Sequence, residues 1–167
     1  MEELRQAYIK KLSLALDMEQ TIVEHLPSMI EAATTDALRT GLSDHLKETR
    51  DHVTRVEKIL AAHKSGKIDE IDAPFRQMVE QAGKEIAAID DAMVRDAVII
   101  AAAQAVEHHE MARYGTLVEW AKTLDEDGDF INALKKTLGE EEASDKKLSS
   151  VAEGGIFSTG VNEIAAH

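Results

Sequence analysis

The sequence contains no cysteine. This excludes a disulfide framework, a thiol nucleophile, a zinc finger and a cysteine-held iron–sulfur cluster, and it makes the cytoplasm the expected compartment. Basic residues are scarce: 19 Lys and Arg stand against 32 Asp and Glu, a formal net charge of −13 with a pI near 4.9. Such a chain repels phosphate backbones and anionic bilayers and has no basic run to release counterions, so neither nucleic acid nor membrane is an expected partner. The longest nearly uncharged stretch, Ala97 to Val106, is half of the roughly 20 residues that span a bilayer. The start, Met1-Glu2-Glu3-Leu4-Arg5, has no signal-peptide core. Also missing are His-Glu-x-x-His, Gly-x-Ser-x-Gly, a Walker loop and the Rossmann glycines. The acidic run Asp125 to Asp129 starts like a calcium loop, but Gly128 falls fourth rather than sixth and Lys136 stands twelfth, where Glu is needed, so it reads as a solvated connection.

Only two prolines and nine glycines punctuate the 167 residues, and good helix formers dominate the remainder. Apolar residues recur at steps of three and four, and strand-like alternation is nowhere sustained. The pattern predicts a first helix from Glu2 to about Glu24, ended by the Pro27 region, with a further turn or two between Pro27 and Ala33. A second helix runs from the N-cap Thr35 to His63, with Ser65-Gly66 as its stop signal. A shorter one follows over Pro74 to Ile89, then long helices over Ala92 to Leu124 and Phe130 to Glu153. The expected fold is all-α: a ferritin-like four-helix bundle over residues 1–153, with a long crossover containing the short extra helix and a flexible C-terminal tail over 154–167.

Acids interrupt the apolar stripes. The first helix steps through Tyr8, Leu12, Ala15, Glu19, Ile22 and Leu26, and the third long helix through Ile100, Ala103, Glu107, Glu110, Tyr114, Leu117 and Ala121. The last reads Ile131, Leu134, Leu138, Glu141, Asp145, Leu148 and Ala152. In the second helix Leu38, Leu42, His45, Glu48, His52, Val56 and Ile59 follow the stripe, with Glu48 toward its edge and Thr49 competing for the interior slot. All these acids lie near mid-helix, so an antiparallel bundle brings Glu19, Glu48, Glu107, Glu110, Glu141 and Asp145 to one level inside the protein. One uncompensated buried carboxylate costs several kcal/mol, and inward basic residues are too few to balance six. Two divalent ions supply the missing positive charge, and carboxylate with imidazole suits iron or manganese. The pattern is that of a di-metal carboxylate bundle.

For the imidazole ligand, His52 is favoured over His45, which is then a partner beyond the ligand sphere or the alternative ligand; either can instead be a hydrogen-bonded core histidine. His108 and His109 turn progressively outward, and surface positions are expected for His25, His63 and His167. Tyr114, one turn beyond Glu110, either hydrogen-bonds a ligand or fills core.

The run Arg95-Asp96-Ala97 through Ile99-Ile100-Ala101-Ala102-Ala103-Gln104-Ala105-Val106-Glu107-His108-His109-Glu110 to Tyr114-Gly115-Thr116-Leu117 resembles the signature of the YciE/YciF family of ferritin-like stress proteins. His45-Leu46-Lys47-Glu48-Thr49 and Glu140-Glu141 with Asp145 match its second- and fourth-helix motifs, and the likeness extends to about Ala152. The family usually has Tyr where this chain has His109. The resemblance implies a bacterial cytoplasmic protein with a rubrerythrin-like di-iron bundle, forming a homodimer and associated with stress. Glu107-x-x-Glu110 is similar to the rubrerythrin third-helix pair, whereas Asp145 replaces its fourth-helix histidine.

Two functions follow as expectations. In one, two iron ions, with manganese as the alternative metal, react with oxygen or peroxide as in a ferroxidase or peroxide scavenger, using an external electron donor because the chain has no cysteine-held redox centre. In the other the protein is a non-enzymatic, stress-associated structural or partner-binding dimer whose metal chiefly stabilises it.

Overall fold

The computed structural model describes residues 1–63, 70–155 and 158–167. Its helices are α1 (Glu2–Ala32), α2 (Asp36–Ala62), α3 (Ala73–Ala87), α4 (Ala92–Thr123), α5 (Gly128–Glu153) and α6 (Val161–Ala165). The expected stop at Ser65-Gly66 lies outside the described residues.

One predicted boundary is wrong. α1 does not end near Glu24 but continues through Pro27 to Ala32. Proline in a helix interior removes a donor and crowds the carbonyl four residues back, at a cost of about 3 kcal/mol. Pro27 lies on the exposed side, where water can take up the freed Val23 carbonyl, while buried Ile22 and Leu26 and half-buried Met29 and Ile30 carry the apolar face past it. Tertiary packing overrides local propensity here.

Side chains of neighbouring elements set other helix ends. Thr35 is the N-cap of α2, but its hydroxyl does not cap. The fully buried Asp96 of α4 instead accepts from the backbone N–H groups of Thr34 at 2.7 Å and Thr35 at 2.8 Å, tying the α1–α2 turn to the start of α4. The acidic run after α4 is a helix connection: Asp125 takes a left-handed φ of 53°, and Asp127 caps α5 by accepting from Asp129 N–H at 2.7 Å.

α1 packs on α2 and α4, and α5 packs on α4 and α2, so the order around the bundle is α1–α2–α5–α4. Arg5, at the start of α1, donates to the carbonyl of Leu124 just beyond α4, whereas Thr34 meets Asp96 at the opposite end; α1 and α4 are therefore antiparallel. The crossover helix α3 lies against both of them. It is pinned by two buried acids: Asp72 caps it and is bonded by Arg113 of α4, and Asp17 of α1 accepts from Arg76 and from Asp72 N–H.

After Glu153 the chain differs from the loose tail expected of it. Gly154, with φ 75°, ends α5, and Gly154–Gly155 pairs antiparallel with Ser158–Thr159. α6 then packs on α4 and α5 with Val161 buried. The physical reason is a pair of glycines where the chain must reverse: a Cβ at Gly160 would lie 2.3–2.5 Å from backbone atoms of residues 152–154. Among the described residues no helix is long and apolar enough to cross a membrane.

Candidate metal centre

Halfway along the bundle each long helix turns a polar residue into the core. α1 contributes Glu19, α2 His45 and His52, α4 Glu107 and Glu110, and α5 Glu141, all buried. Their ligand atoms form two overlapping groups, Glu19, His52, Glu110 and Glu141 in one and His45, Glu107, Glu110 and Glu141 in the other, with the atoms of each group within 4.8 Å of one another. Glu110 and Glu141 belong to both.

Partners outside the cluster hold one side of several of these groups. The Tyr114 hydroxyl donates to Glu19 Oε1, so this buried tyrosine both bonds a cluster residue and fills core. Ser144 Oγ donates to Glu107 Oε1 at 2.7 Å, and Glu140 Oε2 lies 3.1 Å from His52 Nε2. The remaining donor atoms face inward without a hydrogen bond: Glu19 Oε2, Glu107 Oε2, both oxygens of Glu110 and of Glu141, both nitrogens of His45, and His52 Nδ1. His52 Nδ1 is 2.9 Å from Glu141 Oε1 and 3.5 Å from Glu19 Oε2, close but not aligned for hydrogen bonding.

Without metal, burial and mutual charge decide which groups of the cluster ionise. Burial, reinforced by Glu141, pushes Glu107 up to about 9. Burial and the charges of Glu141, Glu19 and Glu107 raise Glu110 well above the usual carboxylate range, and burial raises Glu19 as well. For His52, burial opposes the charged ring but the carboxylates of Glu141 and Glu19 prevail and lift it to about 10. Burial likewise opposes ionisation of Glu141, and His52 outweighs it, leaving Glu141 below its ordinary value. His45 is lowered, chiefly by burial. The metal-free centre thus pairs the His52 ring with the Glu141 carboxylate, among acids whose ionisation burial opposes.

Six of the residues singled out from sequence converge: Glu19, Glu107, Glu110, Glu141, His52 and, with it rather than instead of it, His45. Glu48 and Asp145 stand outside both groups. Glu48 is half-buried at the edge of α2, and the fully buried inward slot beside it belongs to Thr49, whose hydroxyl bonds back to the His45 carbonyl at 2.9 Å. Asp145 is half-buried and faces Gln104 and His108, at 3.3 and 3.4 Å, while Ser144 takes the inward position. His108 is largely exposed, and His109 packs against Phe75 with ring centroids 5.0 Å apart. Sequence reading missed Ser144 and the Arg55–Glu140 pair. Ser144 follows Glu141 at the helical step of three and was legible in principle; Arg55 and Glu140 meet only across the α2–α5 packing, which no local pattern encodes.

The donor set fits metal. Four carboxylates and two imidazoles, without sulfur, suit iron or manganese. Two divalent cations would cancel four ionised glutamates with both histidines neutral. The inward-facing unbonded oxygens and nitrogens are a costly arrangement unless such a partner takes them up.

Comparison with known proteins gives the chain its relatives. The family described as Domain of unknown function (DUF892) matches residues 3–161. The chain is 32% identical over 153 residues to Protein YciF of Escherichia coli (strain K12), covering 91% of this chain and 92% of that protein. The crystal structure of the E. coli stress protein YciF superposes with a TM-score of 0.84 at 30% identity over 90% of this chain and 94% of that one. A YcfI protein of Rhodopseudomonas palustris, described provisionally as structural, gives 0.82 at 37% identity, covering 89% and 94%.

Proposed function

The chain belongs to the DUF892 family, with the stress protein YciF among its relatives, and on that premise we propose that it is a di-iron protein of the ferritin-like type that reacts with oxygen or peroxide. The carrying observation is the pair of overlapping four-residue groups whose inward-facing oxygens and nitrogens have no hydrogen-bond partner in the protein. Glu19 and His52 would hold one ion and His45 and Glu107 the other, with Glu110 and Glu141 common to both. Manganese is the alternative occupant.

Bound Fe(II) would supply reducing electrons to oxygen or peroxide. The protein's own part is positional and protonic. Tyr114 and Ser144 fix one oxygen each of Glu19 and Glu107, leaving the other toward the centre. Glu107, Glu110 and His52 would give up protons to a bound metal, so most of the charge entering the core would be offset by charge leaving it. Burial of all the ligands keeps bulk water from competing. With no cysteine in the chain, re-reduction would rely on an external donor. A cytoplasmic homodimer acting under stress is the setting that the family resemblance suggests.

The test is anaerobic loading of metal-free protein with Fe(II) followed by a peroxide pulse. A fast ferric absorbance change in the wild type, lost in Glu110→Ala, is the expected result. Absence of any change above the buffer rate, with metal still raising the melting temperature, would replace this reading with that of a structural protein stabilised by its metal.

A further inference from the structure

The two halves of the centre are not supported equally. Neither nitrogen of His45 has a hydrogen-bond partner, and its side chain is the most exposed of the cluster, at 5% for the residue against 0–2% for the others. His52 is fully buried, and its Nε2 faces Glu140 Oε2 at 3.1 Å. Glu140 is itself held: Arg55 donates to it through both terminal nitrogens, Arg55 Nη1 also donates to Thr137 Oγ1 at 3.0 Å, and Lys136 lies 3.6 Å from its other oxygen. Arg55 follows His52 by one turn of α2, and Glu140 precedes Glu141 on α5, so this clamp joins two helices that each supply the centre.

An acceptor opposite Nε2 determines what the ring can do. Nε2 keeps its proton to donate to the carboxylate, so the lone pair available to a cation must be on Nδ1, the nitrogen that faces Glu19 and Glu141. The ring is therefore set in orientation before an ion arrives, and the proton it yields to the ion is the one on Nδ1. His45 must find its orientation on binding.

Resting on the two-ion reading above, we infer that Glu140, clamped by Arg55, is the positioning residue that orients His52 and makes the Glu19–His52–Glu110–Glu141 position the tighter one, filled first. Glu140 does not touch the ion; it acts through His52. Because Glu110 and Glu141 are shared, the difference between the two positions comes from the residues that are not: Glu19, held by Tyr114, with clamped His52 on one side, and Glu107, held by Ser144, with unclamped His45 on the other.

The test uses the full chain, Zn(II) as a diamagnetic probe titrated against a competing chelator, and long-range proton–nitrogen NMR of the histidine rings. Wild type should show two unequal binding steps. After the first equivalent His52 should carry its proton on Nε2 and zinc on Nδ1, with His45 still unligated. Glu140→Ala should weaken the first step by about 10- to 100-fold and remove the single-tautomer pattern of His52. Glu140→Gln, whose amide oxygen still accepts from Nε2, should retain that pattern and stay within about threefold of wild type. A role limited to holding α2 against α5 would lower the melting temperature of Glu140→Ala without altering the ring pattern, and would overturn the inference. So would zinc on Nε2, first filling at His45, or an unchanged first step in Glu140→Ala. Should that variant fail to fold, Arg55→Met leaves Glu140 unclamped and must weaken the first step relative to the second. A wild type that takes up no zinc at all would defeat the two-ion reading itself, a result distinct from two tight but equal sites.

Discussion

At the scale of single residues, the buried acids are tolerable because their charge is conditional. Glu110 illustrates this: burial and the charges of Glu141, Glu19 and Glu107 oppose its ionisation when metal is absent, so Glu110→Gln replaces a carboxyl group by a neutral group of nearly the same shape. That variant should lie within about 1 kcal/mol of wild type when metal-free yet lose the metal-induced rise in melting temperature, as thermal unfolding with and without metal would measure. A large loss of metal-free stability would mean that the Glu110 carboxylate is ionised and paired in the native state. The pH dependence has a definite sign. Glu107, raised from 4.5 to about 9, and His52, raised from 6.5 to about 10, bind protons in the native state that the unfolded chain has released. Their stabilisation is complete below those ordinary values and lost as pH rises through the raised ones. Glu141, lowered, acts in the opposite sense, contributing above the ordinary carboxylate range and losing that contribution as pH falls through its depressed value. Denaturant unfolding of metal-free protein should therefore show stability falling from about pH 4.5, where the Glu107 contribution begins to be lost, to about pH 10, more steeply above about 6.5 where His52 joins it. With metal bound, the fall should be absent over the same range; a flat metal-free curve would contradict the assignment.

At the scale of elements, what was legible depended on how tightly a stripe was constrained. In α1 and α4 the steps through Glu19 and through Glu107 and Glu110 are bounded on both sides by apolar residues, Ala15 and Ile22 in one and Ala103 and Tyr114 in the other, and the buried residues of those helices follow that stripe. α5 is looser: from Glu141 a helix of 3.6 residues per turn can step to 144 or to 145, and chemistry favoured the acid where geometry takes the serine. α2 posed the same choice between Glu48 and Thr49, and the inward face runs through His45, Thr49 and His52. An error of one residue rotates a side chain by about 100°, enough to remove a ligand from the centre. The C-terminal segment was illegible for another reason: its order depends on glycine geometry and on docking to α4 and α5, neither of which leaves a periodic trace. Gly160→Ala should force the backbone there apart, cost about 1–3 kcal/mol, and abolish amide protection in residues 158–167 while leaving metal affinity unchanged. Hydrogen exchange would measure this, and preserved protection would refute it.

At the scale of the whole molecule, the proposed function makes the bundle a device that would exchange protons for metal at its centre. Metal entering the cluster would displace the protons that burial favours on Glu107, Glu110 and His52, so uptake of two divalent ions should release between about two and four protons per chain near neutral pH. Titration with metal in a weakly buffered indicator solution would count them, and release of fewer than one would contradict the exchange. The most direct measurement is an anomalous-difference map at the iron edge from crystals of the protein loaded anaerobically with Fe(II). Two peaks are predicted, one bounded by Glu19 and His52, the other by His45 and Glu107, with Glu110 and Glu141 between them. An iron-free centre, or iron bound only at surface carboxylates, would contradict the account.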